Sequence, residues 1–360
     1  MVIRGLPFQQ GEFGDRFADG ASVDSDRREE DPPVQGRAFR QSRIGSMDEV
    51  ETSFAMLARK NGAAMSGQET SRAEAPGARG HGMMAGKRGL VMGVANDHSI
   101  AWGIAKKVHS EGAELAFTYQ GSALGKRVRP LATMLGSSIV EHCDVEDAGS
   151  VDSVFDQIAT KWGGLDFVVH AIAFSDKAEL KGRYADTTRE NFTRTMLISC
   201  FSFTEVARRA SRLMSAGGAL LTLTYDGSNR VMPNYNVMGV AKAALEASVR
   251  YLAADFGPSG IRVNAISAGP VRTLAGAGIA DARLMFNFQK RHAPLRRSVS
   301  IEEIGNAGLY LLCDLSSGVT GEVHYVDSGY NIVSMPHPEA LKTVDAAETA
   351  AESSSGKNDK

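Results

Sequence analysis

The sequence has 360 residues, 43% of them hydrophobic, which suffices for one large α/β domain with extra segments or for two small domains. The formal net charge of −2 gives no global field that would attract nucleic acid or an anionic membrane, so we expect neither as a partner. Cys143, Cys200 and Cys313 stand far apart and outside any zinc-like pairing, which predicts reduced core thiols, no metal site and a cytoplasmic location.

Residues 1–84 differ in composition from the rest of the chain. They are rich in Gly, Ser, Arg, Asp and Glu, and a charge run at residues 24–31 is followed by two prolines. Such a segment buries too little apolar surface to offset its chain entropy, so we predict a low-complexity, disordered extension, with a folded partner-binding element as the alternative. No apolar run in the sequence approaches the roughly 18 residues of a transmembrane helix.

From residue 86 to about residue 336, short β-rich apolar runs alternate with segments of helical period. The predicted strands are residues 89–94, 114–119, 138–142, 165–170, 219–224, 262–267 and 322–326, and the helices include residues 100–111, 150–162, 191–214 and 236–256. Because parallel strands need crossover connections, this alternation predicts a mainly parallel, seven-stranded sheet with helices on both faces. We therefore predict a single doubly wound Rossmann-type α/β domain over residues 85–336, followed by a disordered tail over residues 337–360.

A glycine-bearing turn, residues 93–103, follows the first predicted strand and opens a helix. Such a turn directs backbone N–H groups and a helix N-terminus at a pyrophosphate. It does not have the standard GxGxxG pattern, so an ordinary strand–helix turn is the alternative interpretation. Its place after the first strand of a doubly wound sheet favours a dinucleotide site.

Gln120 ends the second predicted strand, where a dinucleotide enzyme reads the adenosine ribose. An acid there would exclude a 2′-phosphate, whereas an adjacent arginine would accept one. Glutamine is neutral and can hydrogen-bond the 2′-hydroxyl, which favours NADH. Lys126 and Arg127, further along the next helix, keep NADPH open as a less favoured alternative.

Two further candidate groups end the third and fourth predicted strands. Asp144 and Val145 follow the third strand, and residues 171–174 follow the fourth. Ligands bind at the carboxyl edge of open α/β sheets, so an acid and small residues there suit adenine and a nicotinamide ribose. The alternative for Asp144 is a loop-capping role.

The most informative pair is Tyr235 and Lys242, which stand seven positions apart after the fifth predicted strand. At about 100° per residue, seven positions rotate roughly 700°, so the two side chains share one face of a helix. A phenol and an ammonium on one face can serve as an acid and a cofactor clamp, although helices also carry such pairs by chance. Their location on the same edge as the cofactor elements favours the functional interpretation.

Together these segments resemble the enoyl-[acyl-carrier-protein] reductases of bacterial type II fatty acid synthesis, a divergent branch of the short-chain dehydrogenase/reductases. The similarity spans residues 86–335 and includes residues 93–103, Tyr225 with the Tyr235-x6-Lys242 pair, residues 263–275 and residues 319–322. Ordinary short-chain dehydrogenases have Tyr-x3-Lys, whereas the residue four after Tyr235 is Gly239. This spacing distinguishes carbon–carbon reduction from carbonyl reduction.

The resemblance implies hydride transfer from NADH to the β-carbon of a trans-2-enoyl thioester, giving the saturated acyl thioester in the fatty acid elongation cycle. The implied catalytic residues are Tyr225, Tyr235 and Lys242; Tyr235 would hydrogen-bond the thioester oxygen and Lys242 would hold the nicotinamide ribose. The implied cofactor-binding residues are Gly93, Ser99, Ile100, Gln120, Asp144, Val145, Ile172, Lys242 and Val271, and Ser175 lies beside the substrate. Acyl carrier protein is the implied partner, and the implied assembly is a homo-oligomer, specifically a tetramer.

Two alternative functions compete with this interpretation. A ketoacyl- or sugar-type carbonyl reductase is disfavoured by Gly239 and by Tyr225, since carbonyl reductases usually place serine at the latter position. A non-catalytic NAD(H)-binding sensor that uses residues 1–84 as an interaction arm is disfavoured because Tyr225, Tyr235 and Lys242 occur together.

Overall fold

The computed structural model describes residues 82–271, 273 and 282–335. Its seven strands are β1 (Arg88–Met92), β2 (Glu114–Tyr119), β3 (Ile139–His142), β4 (Phe167–His170), β5 (Gly218–Thr224), β6 (Ile261–Ala268) and β7 (Val323–Val326). They form one sheet in the order β3-β2-β1-β4-β5-β6-β7, and every neighbouring pair is parallel. The predicted doubly wound, seven-stranded parallel sheet is thus confirmed.

Helices connect the strands and cover both faces of the sheet. In the described residues they are α1 (Ile100–Ser110), α2 (Gly121–Met134), α3 (Ala148–Trp162), α4 (Arg189–Met196), α5 (Ser202–Ser211), α6 (Asn236–Phe256), α7 (Ala282–His292) and α8 (Ile301–Leu312). Local sequence signals set several of their ends. The Ser300 side chain and Glu303 form a reciprocal capping box that starts α8, and Gly163 ends α3 in the left-handed conformation.

The apolar core consists of two layers, one on each face of the sheet. Successive side chains of a strand point to opposite faces, so Leu90 and Met92 enter one layer while Val91 enters the other. The first layer packs the sheet against α3, α5 and α6, and the second packs it against α1, α2 and α8. Both faces are covered, which explains why the central strands are almost continuously apolar.

The predicted helix over residues 191–214 differs from the structure. It is two helices, α4 and α5, joined by a π-helical turn, Leu197–Phe201. The apolar period continues across the junction, so the sequence pattern gives no sign of the wider turn. A π-helical turn re-aims the side chains that follow it and often occurs at functional sites.

The predicted extension, residues 1–84, and the predicted tail, residues 337–360, lie outside the described residues except for 82–84. Met84 is nevertheless fully buried, and its backbone N–H donates to the Glu111 carbonyl oxygen at 2.9 Å. The packed part of the chain therefore includes Met84, which the predicted boundary had left in the extension. Within the described ranges, no helix combines the length and apolar character needed to cross a membrane.

Met83 and Met84 offer a matched pair for testing where packing begins, because Met83 is 48% exposed whereas Met84 is 0% exposed. We expect Met84→Ala to lower the free energy of unfolding by about 2–5 kcal/mol, since it leaves a cavity beneath α1. Met83→Ala should change it by no more than about 0.5 kcal/mol. Urea denaturation of both variants is the measurement, and equal destabilisation would contradict the boundary.

Candidate active site

Most candidate residues follow the carboxyl ends of strands, and all strands end at one edge because the sheet is parallel. Gly93 and Ser99 follow β1, Gln120 follows β2, Asp144 and Val145 follow β3, Ile172 and Ser175 follow β4, Tyr225 follows β5, and Val271 follows β6. Ile100 begins α1, and Tyr235 and Lys242 come with α6. The fold thus gathers these positions along a single edge, where open α/β sheets bind ligands.

The order of the strands reverses between β1 and β4, and the two backbones lie close together just after these strands end. Gly93 has a φ of +92°, and a Cβ atom at this position would lie only 2.1 Å from the Ala171 carbonyl oxygen. The Ala171 N–H also donates to the Met92 carbonyl oxygen at 3.1 Å. Only glycine fits both the conformation and the space, so the ends of β1 and β4 approach closely at this reversal, which is where open α/β sheets bind ligands.

The turn after Gly93 presents the N-terminus of α1. The Ser99 hydroxyl accepts hydrogen bonds from the N–H groups of Ala95 and Asn96, at 3.0 and 3.1 Å, and makes no capping bond to the helix. The first turn of α1 also carries no acidic residue. Its first N–H groups therefore remain available to an anion, as a pyrophosphate site requires.

Gln120 and Asp144, predicted separately from two strand ends, are in direct contact. The Gln120 amide Nε2 donates to Asp144 Oδ2 at 3.3 Å. Gln120 is exposed, Asp144 is half-buried, and Val145 beside it is buried. The pair offers a carboxylate and an amide to a nucleoside at the β2–β3 end of the edge.

Tyr225 and Tyr235 pack against each other at the other end of the crevice. Their ring centroids lie 5.3 Å apart with an edge-to-face angle of 74°. Burial raises the pKa of Tyr225 to about 12, and it also raises the pKa of Tyr235. Both hydroxyls therefore keep their protons at neutral pH and can donate them in hydrogen bonds.

Gly239, four residues after Tyr235, explains why a lysine cannot occupy that position. A Cβ atom there would lie 2.6 Å from the Gly227 carbonyl oxygen, and a Cβ atom at Gly227 would lie 2.5 Å from the Tyr235 ring. The two glycines allow α6 to approach the segment after β5 closely. A Tyr-x3-Lys arrangement would push these backbones apart, so the only lysine on this helix stands at Lys242.

Lys242 is buried, and its Nζ donates to the Leu223 carbonyl oxygen at 2.8 Å. Burial lowers the pKa of Lys242 to about 8, although the nearby Cys200 and Glu246 favour its charged form. The prediction that Tyr235 and Lys242 share one face of a regular helix holds only in part. Tyr235 precedes α6, and Asn236 has a φ of +35°. The sequence predicted the helix over residues 236–256 with Lys242 inside it, but it did not show this irregular first turn.

The Ser175 hydroxyl is buried and hydrogen-bonded to side chains of α4. The Thr195 hydroxyl and the Asn191 amide donate to Ser175 Oγ at 3.0 and 3.2 Å, and the residue is buried. One residue earlier, the Ser199 hydroxyl bridges the N–H and carbonyl groups of Phe174, both at 3.0 Å. The π-helical turn supplies Ser199, so this turn holds the loop that follows β4.

Three features fit a dinucleotide: the close approach of β1 and β4 at Gly93, the open N–H groups on α1, and the Gln120–Asp144 pair. Among the described residues, no group of three His, Cys, Asp or Glu side chains is arranged to bind a metal ion. Sequence reasoning missed Ser199 and Gln289, whose amide contacts Tyr225. Polar residues in helical segments carry no pattern that identifies such contacts.

Comparison with known proteins agrees with this geometry. Residues 93–331 match the family model described as enoyl-(acyl carrier protein) reductase. The enoyl-[acyl-carrier-protein] reductase [NADH] 2 of Rhizobium meliloti is 73% identical over 266 residues, covering 74% of this chain and 99% of the relative. The FabI crystal structure from Candidatus Liberibacter asiaticus is 61% identical with a TM-score of 0.70, covering 71% of this chain and 100% of that one.

A second solved structure is that of the Anaplasma phagocytophilum enoyl-(acyl-carrier-protein) reductase in complex with NAD. It is 56% identical with a TM-score of 0.70, and the alignment covers 72% of this chain and 99% of that chain. The family model covers well over half of this chain, and these relatives match over nearly their whole length. The chain belongs to the enoyl-[acyl-carrier-protein] reductase family.

Proposed function

We propose that this chain uses NADH to reduce the carbon–carbon double bond of a trans-2-enoyl thioester carried on acyl carrier protein. The observation that carries the proposal is the grouping of Tyr225, Tyr235 and Lys242 at the carboxyl edge, with the carbonyl-reductase lysine position closed by Gly239. The product is the saturated acyl thioester of the fatty acid elongation cycle. The direct test is loss of NADH absorbance with crotonyl and longer enoyl thioesters; no oxidation with any of them would refute it.

The cofactor-binding residues are those of the crevice. Gly93, Ser99 and Ile100 would receive the pyrophosphate on the N-terminus of α1, and Gln120, Asp144 and Val145 would hold the adenosine. Ile172 and Val271 would line the nicotinamide end, with Lys242 on its ribose. When bound, NADH supplies the hydride that adds to the β-carbon of the substrate.

Tyr235 stabilises the negative charge that develops on the thioester oxygen as the hydride arrives. Its raised pKa keeps it a neutral donor, and its burial shields the hydrogen bond from water. Lys242 keeps the cofactor ribose in place. The α-carbon of the resulting enolate then takes up a proton from solvent, so the enoyl thioester, NADH and one proton give the saturated thioester and NAD⁺.

Ser175 contributes to the substrate site through its backbone. Its hydroxyl is already engaged by Thr195 and Asn191, so only its main-chain groups face a substrate without breaking that network. Because Ser199 fixes Phe174 on both its N–H and carbonyl groups, this backbone is held in one position. Preorganised backbone of this kind is well suited to orient an acyl chain.

NADH is favoured over NADPH because Gln120 is neutral and its amide is engaged with the Asp144 carboxylate, which would repel a 2′-phosphate. The related structure from Bacillus cereus was determined with NADP⁺, whereas the Anaplasma phagocytophilum structure contains NAD, so relatives with either dinucleotide are known. Parallel assays with the two reduced cofactors decide the preference of this chain.

We further propose a cytoplasmic homotetramer. One face of helix α6 carries Val240, Ala243, Ala247, Tyr251 and Ala254; Ala247 is half-buried, the others are exposed, and Tyr251 is 76% exposed. The spacing of three and four residues places them on one face, which suits helix packing against a second copy. The three buried cysteines, none in a disulfide, agree with a reducing compartment.

Removing the Tyr235 hydroxyl should affect turnover more than binding. We expect Tyr235→Phe to lower kcat about a hundredfold to a thousandfold, because one donor to the developing oxyanion is lost, while the Kd for NADH stays nearly unchanged. Tyr310→Phe on α8 is the matched control and should retain full activity. Steady-state kinetics and cofactor titration are the measurements, and a Tyr235→Phe enzyme with normal kcat would rule out the assigned role.

Lys242 should make NADH binding depend on pH. Its ammonium is lost as the pH rises through about 8, so the wild-type Kd for NADH should rise from neutral to alkaline pH. The rise should reach about tenfold between about pH 7 and about pH 9, since only the protonated form contacts the ribose as a cation. Lys242→Met should bind weakly at every pH, whereas Lys161→Met should behave as wild type. Tight binding by Lys242→Met would remove the clamp assignment.

A single charged substitution on the exposed face of α6 tests the proposed homotetramer. Ala247→Arg should reduce the assembly to smaller species, because an arginine would have to be buried between two apolar helices. Ala159→Arg, at a similarly half-buried alanine of α3, is the control and should leave the assembly intact. Light scattering after size-exclusion chromatography gives the mass; an unchanged mass for Ala247→Arg places the interface elsewhere.

A further inference from the structure

Helix α7 buries a polar side chain while it exposes apolar ones. Gln289 is 6% exposed, whereas Leu284 and Phe288 on the same helix are 69% and 48% exposed. A buried carboxamide is unfavourable unless its polar atoms are hydrogen-bonded. Packing therefore does not account for a glutamine here, and its contacts indicate another role.

The Gln289 amide contacts a residue of the candidate active site. Its Nε2 donates to the Tyr225 hydroxyl oxygen at 2.8 Å, and this contact joins residues 64 positions apart in the chain. In the described part of the chain, Oε1 of the same amide has no hydrogen-bond partner. The amide is thus committed to Tyr225 alone.

The direction of this hydrogen bond determines what Tyr225 can do. An amide N–H can only donate, so the phenol oxygen accepts and its own hydrogen is left for another acceptor. The edge-to-face contact with Tyr235 restrains the ring at 5.3 Å, so the hydroxyl has little freedom to move. Because the Tyr225 oxygen accepts a hydrogen bond from Gln289, its own O–H becomes a better donor.

We propose that Gln289 is a positioning residue, which fixes Tyr225 as a hydrogen-bond donor directed into the substrate crevice. The inference rests on the proposed enoyl reduction and deepens it, because it makes Tyr225 a hydrogen-bond donor to the substrate, as Tyr235 is. Two donors from adjacent rings would then serve the substrate, one held by α6 and the other by α7. In this proposal Gln289 acts through Tyr225 and not directly on the substrate.

The first test compares two substitutions at this position with a control. Gln289→Met keeps the length and removes the donor, and it should lower kcat about threefold to tenfold with little change in the Kd for NADH. Gln289→Glu offers only acceptor oxygens near neutral pH, so it should draw the Tyr225 hydrogen away and lower kcat further. Gln157→Met, at an exposed glutamine of α3, should match the wild type.

The Gln289→Glu variant also has a diagnostic pH profile. Protonation of the introduced carboxylate restores a donor toward Tyr225, so the kcat of this variant relative to wild type should rise as the pH falls from about 8 to about 5. Asp226, Asp327 and Tyr330 act electrostatically on Tyr225 in both proteins, so the ratio to wild type removes their titration. A merely structural role for Gln289 would give no such acid rescue. If Tyr225 instead donates to the amide oxygen, Gln289→Glu would keep wild-type turnover at neutral pH, which would overturn the proposal.

A second measurement does not depend on catalysis. With tyrosine labelled at the ζ carbon, the resonance that Tyr225→Phe removes identifies Tyr225, and it should shift in Gln289→Met but not in Gln157→Met. An unshifted resonance means that the hydrogen bond does not exist in solution, which would end the proposal whatever the activity. Wild-type protein that fails to oxidise NADH with any enoyl thioester, yet shows the shift, would instead refute only the proposed function and the substrate-directed part of the inference.

Discussion

The pairing of β1 with β4 is the constraint on which the site depends. It reverses the strand order at Gly93 and Ala171, where the two backbones are too close for any side chain on Gly93. The α1 N-terminus and the loop after β4 can approach one crevice only because this contact is so close. A parallel sheet then brings the ends of β2, β3, β5 and β6 to the same edge.

Burial sets the protonation states of Tyr225, Tyr235 and Lys242. Desolvation disfavours charged forms, so it raises the pKa of both tyrosines and lowers the pKa of Lys242 toward neutrality. Desolvation therefore keeps both tyrosines neutral, so that they can donate hydrogen bonds. The same effect leaves Lys242 only partly protonated at mildly alkaline pH.

Buried polar side chains outside the reacting set maintain this geometry. Ser199 holds both main-chain groups of Phe174, and Asn191 with Thr195 engages the Ser175 hydroxyl. The Gln289 amide on α7 donates to the Tyr225 hydroxyl oxygen. Each of these contacts joins segments far apart in the chain, so the loops of the site are restrained by several helices rather than by their own sequence.

The sequence alone determined the parallel α/β architecture, because apolar strand runs and helical periods are local patterns that crossover geometry converts into a sheet. It also identified the candidate positions on the carboxyl edge, since strand ends and the Tyr235-x6-Lys242 spacing can be read along the chain. Only the tertiary structure decided that Met84 belongs to the core, that the helical segment before β5 contains a π-helical turn at Leu197–Phe201, and that the Ser175 hydroxyl is engaged by Thr195. It alone revealed Gln289 beside Tyr225. These features depend on contacts between distant segments, and hydrophobic periodicity contains no information about which polar side chain a folded neighbour will meet.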